Sequence, residues 1–183
     1  IFKITSKWLV NLYTPPKSVH GFLKNRGIRT NAKPHLECNF ILKLDLCKFY
    51  EQVTTLSISK SLIDLGVESD LAALVSKVCT VDGKLVQGFS TSPVISNIVT
   101  RNLDILLEEY CGSKNIIYTR YADDMSFSTK DSKIDSKEIE NIIESYGFEI
   151  NKNKTSILKR GFYQSVTGLT VFDSEMPRIP KRI

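Results

Sequence analysis

The chain has 183 residues, enough for one domain or for one domain with part of another. Hydrophobic residues make up 42% and charged residues 25%, which excludes a disordered polar tail, and no run approaches the ~20 consecutive apolar residues of a membrane span. The net charge of +5 is unevenly spread: residues 1–43 carry eight Lys/Arg and one acid, residues 44–150 ten and seventeen, residues 151–183 seven and two. Basic flanks around an acidic middle suit a protein that grips a polyanion at its edges and holds cations at its centre, although chance clustering on solvated faces gives the same pattern.

The chain starts at Ile1 rather than Met, so an internal piece of a longer polypeptide is expected. Residues 14–35, rich in Pro, Gly, Asn and basic side chains, read as a loop. Phe40 to Leu46 is an apolar run of strand type that carries one acid, Asp45. Residues 57–65 and 68–79 read as two helices parted by Gly66. Ser92 and Pro93 suit the cap and first turn of a long helix whose face is Ile95, Ile98, Val99, Asn102, Leu103 and Leu106. Residues 116–120 and 125–129 form a hairpin around Ala122-Asp123-Asp124. Asp135 to Tyr146 is a helix with a capping box from Asp135 to Glu138, an apolar face of Ile139, Ile142, Ile143 and Tyr146, and a stop at Gly147. Residues 148–151, 155–158 and 166–172 read as strands.

This order gives a βαββαβ-like α+β fold, an antiparallel sheet with helices on one face. Such a sheet brings Asp45, on the first strand, beside the hairpin turn with Asp123 and Asp124. Cys38, Cys47, Cys79 and Cys111 include no CxxC pair, so zinc is not expected. No secretory leader is visible, so the expectation is reduced thiols, a cytoplasmic location and no membrane.

Three carboxylates on adjacent strands have a chemical rationale. Nucleotidyl transfer needs an attacking 3′-oxygen activated and a leaving pyrophosphate neutralised, which two Mg²⁺ ions about 3.5–4 Å apart accomplish. Mg²⁺ prefers a few carboxylates plus substrate phosphates to an all-protein cage. Asp45 can bridge both ions, the Leu46 carbonyl can add a ligand, and Asp123 and Asp124 can hold them from the hairpin. Mn²⁺ is an expected substitute. A bare Asp-Asp pair is more often a polar turn, but here apolar strands flank it and a lone acid ends a strand upstream.

Tyr121-Ala122-Asp123-Asp124 resembles the YxDD box of reverse transcriptases. Leu44 to Tyr50 resembles their first catalytic motif, and Gln87-Gly88-Phe89-Ser90-Thr91-Ser92-Pro93 their QGxxxSP motif. Gly147 to Thr155 and Val166-Thr167-Gly168-Leu169 resemble the next two. Five motifs in order, over roughly residues 31–170, are specific where any one alone is weak. Asn31-Ala32-Lys33-Pro34-His35 and Val166-Thr167-Gly168 further resemble the NAxxH and VTG elements of bacterial retron reverse transcriptases. The departures are Val86 where the family often has Pro, and Phe89-Ser90 after the glycine.

The resemblance implies a right-hand polymerase, with residues 1–39 as a fingers remnant holding a basic RNA-contacting loop, 40–172 as the palm, and 173–183 as the junction toward a thumb. It implies an RNA-directed DNA polymerase that takes a structured non-coding RNA as template and primer, uses dNTPs and leaves an RNA–DNA product. By the same analogy an effector protein and a role in anti-phage defence are expected. A group II intron or other defence-associated bacterial reverse transcriptase, and a non-catalytic palm-fold RNA-binding scaffold, are the alternatives.

The resemblance also assigns roles to residues. Tyr50 is the ring under the sugar of the incoming nucleotide, where it would exclude a 2′-hydroxyl; strand alternation puts Asp45, Cys47 and Phe49 on one side, so Tyr50 needs a bend to reach the site. Gln87 and Gly88 contact the nucleotide and template. Lys154, with Lys152 as competitor, neutralises or protonates pyrophosphate alongside the catalytic Asp45, Asp123 and Asp124. Asn31, His35, Val166, Thr167 and Gly168 hold RNA. Arg178, Lys181 and Arg182 form a basic tail that suits a nucleic-acid backbone. Arg120, just before the box, is open between substrate and a sheet acid.

Overall fold

The structure is a computed structural model that describes residues 2–131, 134–172 and 175–180. In chain order the elements are α1 (Phe2–Leu12), α2 (Ile28–Ala32), a 3₁₀ turn (Lys33–His35), β1 (Phe40–Asp45), α3 (Phe49–Gln52), α4 (Thr55–Asp64) and α5 (Ser69–Val78). They continue with β2 (Thr80–Val81), β3 (Lys84–Leu85), α6 (Ser92–Ser113), β4 (Ile117–Tyr121), β5 (Asp124–Thr129), α7 (Ser136–Ser145), β6 (Ser156–Lys159), β7 (Ser165–Val166) and β8 (Leu169–Thr170).

The chain forms two compact units, one of residues 1–16 and 48–102, the other of residues 17–47 and 103–183. Residues 17–47 fall in the second unit because β1 pairs with β5 and β6 far downstream.

In the first unit α4 begins with a capping box: Thr54 Oγ1 accepts from the Ser57 N–H and Ser57 Oγ accepts from the Thr54 N–H. Gly66, at φ 89°, ends the turn between α4 and α5. The sequence reading passed over the hairpin β2–β3, although Asp82-Gly83 is a strong hairpin signal; both residues adopt left-handed backbone angles. Ser92 is not a cap. It lies within the first turn of α6, and its Oγ donates to the Val86 carbonyl (2.6 Å).

The second unit is built on an antiparallel sheet of order β4-β5-β1-β6. The register pairs Ile41 with Ser128 and Leu158, and Asp45 with Asp124. Alternation then places Leu42, Leu44, Met125, Phe127, Tyr118 and Arg120 on one face, where α6 meets them through Asp104. Phe127 stacks on Tyr118 with ring centroids 4.8 Å apart. The opposite face carries Ile41, Ile117 and Leu158 at one end, under a small core of Ala32, Cys38, Val166, Leu169 and Val171. At its other end stand Asp45 and Asp124.

Several local readings change. Residues 14–35 contain α2 and the 3₁₀ turn, nucleated where Thr30 Oγ1 donates to the Gly27 carbonyl and accepts the Gly27 N–H. On α6, Asn102 is exposed and Asp104 and Leu107 are buried. On α7, Asp135 caps the Lys137 N–H, but Glu138 does not close a box, because it takes the Tyr110 hydroxyl instead. Tyr146 points to solvent. Residues 148–151 give one bridge, Leu46 to Ile150, rather than a strand. Residues 166–172 hold no single strand: Ser165 to Thr170 folds back on itself as β7–β8. Among the described residues no helix is long and apolar enough to cross a membrane.

Candidate active site

The site is built where β1 stops. The Leu46 N–H donates to the Asp123 carbonyl (3.3 Å), continuing the β1–β5 ladder to the hairpin turn. On its other edge the Asn151 N–H donates to the Asp45 carbonyl (2.7 Å) and the Cys47 N–H to the Glu149 carbonyl (2.9 Å). Asp45 is therefore pinned between the hairpin and residues 149–151, with Asp124 directly across from it. Cα atoms of such facing pairs lie about 4.5–5.5 Å apart, so like charges repel unless something offsets them.

Part of the offset is Lys154. The turn Asn151 to Thr155, closed by the Lys154 and Thr155 N–H groups on the Asn151 carbonyl, aims its Nζ at both Asp45 oxygens, 3.1 Å from each. Asn151 Nδ2 stands 3.5 Å from Asp45 Oδ2. Asp45 raises the Lys154 pKa, first through this hydrogen bond and then through its charge. Asp124 carries the rest of the strain: burial raises its pKa, and Asp123 and Asp45 add to this, while Lys43 and Lys154 oppose it. Lys154, rather than Lys152, is thus the lysine that meets the carboxylates. In this structure it holds Asp45.

A divalent cation suits this donor set. Asp45 and Asp124 face each other at one end of the sheet with Asp123 in the adjoining turn, and burial raises the Asp124 pKa, with Asp123 and Asp45 adding to it. Among the described residues, no three His, Cys, Asp or Glu side chains are close enough to hold an ion as they stand. Lys154 occupies the charge-balancing position on Asp45.

Beneath the hairpin lies a polar scaffold that the sequence did not reveal. Arg120 is fully buried, with Nε donating to Asp104 Oδ1 (2.8 Å), Nη2 to Asp104 Oδ2 (2.7 Å) and Nη1 to the Ala122 carbonyl (2.8 Å). Tyr118 also donates its hydroxyl to Asp104 Oδ1 (2.8 Å). Breaking a buried pair of this kind by removing one member costs about 3–5 kcal/mol. Arg120 thus pairs with an acid on α6, which settles the question the sequence left open. Residues 18–20 run beside it as a parallel bridge, with the Arg120 N–H on the Ser18 carbonyl (2.9 Å) and the His20 N–H on the Arg120 carbonyl (2.8 Å).

His35 and Asn31 lie inside the fold. Both are fully buried, as is Val166. His35 Nδ1 meets Ser128 Oγ (2.6 Å) and Nε2 meets Thr119 Oγ1 (2.7 Å), so the ring braces β4 against β5. Asn31 Nδ2 donates to Thr167 Oγ1 (3.0 Å), which ties the NAxxH element to the VTG turn. In that turn Thr167 (φ 45°) and Gly168 (φ 78°) have left-handed angles; Thr167 is half-buried and Gly168 exposed. These two are the accessible residues of the five expected to hold RNA.

Burial pushes the His35 pKa down to about 3, with a smaller contribution from His20. Above pH 6.5 the imidazole is neutral folded and unfolded, and its full contribution to stability is present. Below that the unfolded chain takes up a proton that the folded chain refuses, so stability falls by about 1.4 kcal/mol per pH unit until about pH 3. Urea denaturation between pH 7 and pH 5 should show a shallower pH slope for His35→Gln than for wild type. Equal slopes would contradict the assignment.

In the first unit α3 opens at Lys48, which has a left-handed φ of 38°. Phe49 is buried there and Tyr50 half-buried. Gln87 and Gly88 are exposed, and Gly88 has a φ of 100°, open to glycine at little cost. Phe89 packs on Phe2 at 4.6 Å between centroids. Lys181 and Arg182 lie outside the described residues. Arg178 is described, and its Nη2 pairs with Glu175 at 3.2 Å.

A family model described as reverse transcriptase (RNA-dependent DNA polymerase) matches residues 1–169. The chain belongs to that family. It is 36% identical over 166 residues to the retron Ec86 reverse transcriptase of Escherichia coli, covering 89% of this chain and 52% of the relative. It is 34% identical to the retron Mx65 reverse transcriptase of Myxococcus xanthus, covering 89% and 43%. The chain thus spans about half the length of these curated relatives. Among solved structures, apo telomerase from Candida tropicalis truncated from its C-terminal domain has a TM-score of 0.60 at 13% identity, over 95% of this chain and 40% of that one. Telomerase from Candida albicans, with a fragment of telomeric RNA, gives 0.57 at 18% identity, over 78% and 30%. The fold is that of a polymerase palm.

Proposed function

We propose that this reverse transcriptase chain carries the catalytic centre of an RNA-directed DNA polymerase of retron type, which copies part of a structured partner RNA into DNA. The observation that carries the reading is the placement of Asp45 opposite Asp124, with Asp123 in the adjoining turn. Asp45, Asp123 and Asp124, with the Leu46 carbonyl, would hold divalent ions, Mg²⁺ by preference. When bound, two such ions activate the 3′-hydroxyl of the primer and neutralise the departing pyrophosphate. Lys154, which reaches Asp45 in this structure, would supply the positive charge that neutralises or protonates the pyrophosphate.

In this reading Tyr50 limits the sugar pocket, and Gln87 and Gly88 line the path of nucleotide and template. Thr167 and Gly168 present the RNA-contacting turn, while Asn31, His35 and Val166 hold that turn and the hairpin from beneath. Residues 40–172 act as the palm, 1–39 as part of the fingers and 173–183 as the lead toward a thumb. The retron assignment is supported by the NAxxH and VTG elements and by the similarity to retron enzymes. An effector partner and a role in anti-phage defence rest on that similarity alone.

The test is to purify the intact protein with its co-expressed RNA and supply labelled dNTPs and Mg²⁺. Labelled DNA joined to the RNA is the expected product. Extension only of an added template and primer would assign the protein to another reverse transcriptase subclass. A folded, RNA-bound protein that incorporates nothing would be a binding scaffold.

A further inference from the structure

We infer that Arg120, fixed by Asp104, is a positioning residue that sets the backbone of the catalytic turn and so the placement of Asp123 and Asp124. The inference rests on the polymerase reading above for its functional consequence. Its starting observation is that Arg120 lies on the sheet face opposite the carboxylates, so its charge is not aimed at substrate.

The guanidinium forks between Asp104 and the turn. Two hydrogen bonds join the Asp104 carboxylate, and the third, from Nη1, ends on the Ala122 carbonyl at 2.8 Å. Ala122 is the residue that needs such a restraint. Its φ of 57° lies in the left-handed region, which side-chain-bearing residues seldom adopt. Ala122 and Asp123 are the two residues that turn the chain between the paired Tyr121 and Asp124. A glycine at the first turn position would take this angle unaided; Ala122 takes it while its carbonyl is tied to the buried arginine.

The main chain of Arg120 is fixed as well, by Ser18 on one side and His20 on the other. With Asp104 also accepting from Tyr118, the fork cannot swing without losing several bonds. A buried ion pair is often no more stabilising than an apolar pair of the same volume. What an apolar pair cannot supply is the third donor, and Lys, with a single ammonium centre, cannot match the fork. The network therefore has a consequence separable from stability: it fixes a carbonyl, and through it two carboxylates.

The experiment compares intact wild-type protein with Arg120→Met/Asp104→Leu and with Arg120→Lys. Three quantities are read: the melting temperature, Mn²⁺ affinity without nucleotide, and kcat and KM for dNTP incorporation. The apolar double variant should melt near wild type, bind Mn²⁺ at least about tenfold more weakly and lose kcat by about 10–100-fold with KM changed little, as for residues that orient metal ligands from behind. Arg120→Lys should keep the charge pair and show the same losses. Wild-type Mn²⁺ affinity in either folded variant overturns the inference. If the double variant does not fold, the Lys variant decides in the same way. Should wild type bind Mn²⁺ and copy nothing, the polymerase reading fails, and the Mn²⁺ comparison still judges Arg120.

Discussion

Asn in place of Asp123 or Asp124 should lower dNTP incorporation by at least about 10³-fold while leaving the fold intact. The two side chains have the same shape, so packing is conserved and only charge is lost. Asp124 is raised in pKa by burial and by its acidic neighbours Asp123 and Asp45. Removing one of these charges relieves repulsion, so the variant should melt no lower than wild type. Incorporation assays and thermal melts on the same preparations check both halves. Wild-type incorporation by either variant would remove the hairpin acids from the mechanism. A lower melting temperature would mean that the acids are satisfied within the protein rather than held in readiness for a cation.

Gly21→Ala should be the most damaging single-methyl change near the site. A Cβ built on Gly21 falls 2.6 Å from the Ala122 nitrogen, 3.2 Å from the Tyr121 carbonyl carbon and 3.3 Å from its Cα. All three are backbone atoms of the catalytic turn, which cannot rotate away as a side chain would. Either residues 18–21 lift off β4 or the turn shifts, and overpacking of this kind costs about 1–3 kcal/mol. A displacement near 1 Å at a reacting group can cost about 10²-fold in rate, which is the expected loss of incorporation. Gly27→Ala is the control, since a Cβ there meets nothing within 4 Å. If both variants copy at the wild-type rate, the close approach of Gly21 to the hairpin has no bearing on catalysis.

What could be read early was whatever is local. The Phe40–Asp45 run, the two helices parted by Gly66 and the hairpin around Asp123-Asp124 each follow from a pattern within a dozen residues, and the structure contains all three. The motif order placed the chain among reverse transcriptases for the same reason: each motif is a short stretch whose identity does not depend on its neighbours in space. Local signals failed where two chemistries competed for one side chain. Ser92 had the right type for a cap, yet its hydroxyl found the Val86 carbonyl. Glu138 had capping-box spacing, yet Tyr110 claimed it.

The partners of the site could not be read at all. Asp104 looks like one more acid on a helix until α6 is laid against β4, where it meets Arg120 and Tyr118. A sign was available, since Asp104 adjoins Leu103 on the buried side of the helix, but the number of acids in residues 44–150 hides it. The resemblance implied that His35 helps to hold RNA, but its own hydrogen-bond partners were equally out of reach. Only the sheet shows both ring nitrogens spent on Ser128 and Thr119.

The sequence by itself determined the family, the strand–helix–hairpin order and the three acids, because covalent neighbours and hydrophobic period fix those. Tertiary structure alone decided that Lys154 holds Asp45, that Arg120 ties down Ala122, that Asn31 reaches Thr167 and that Gly21 must lack a side chain. Three of these join groups far apart in the chain, and the fourth, Arg120 to Ala122, depends on Asp104 holding the guanidinium. Their contacts depend on which strands pair and in what register, which is a property of the whole sheet.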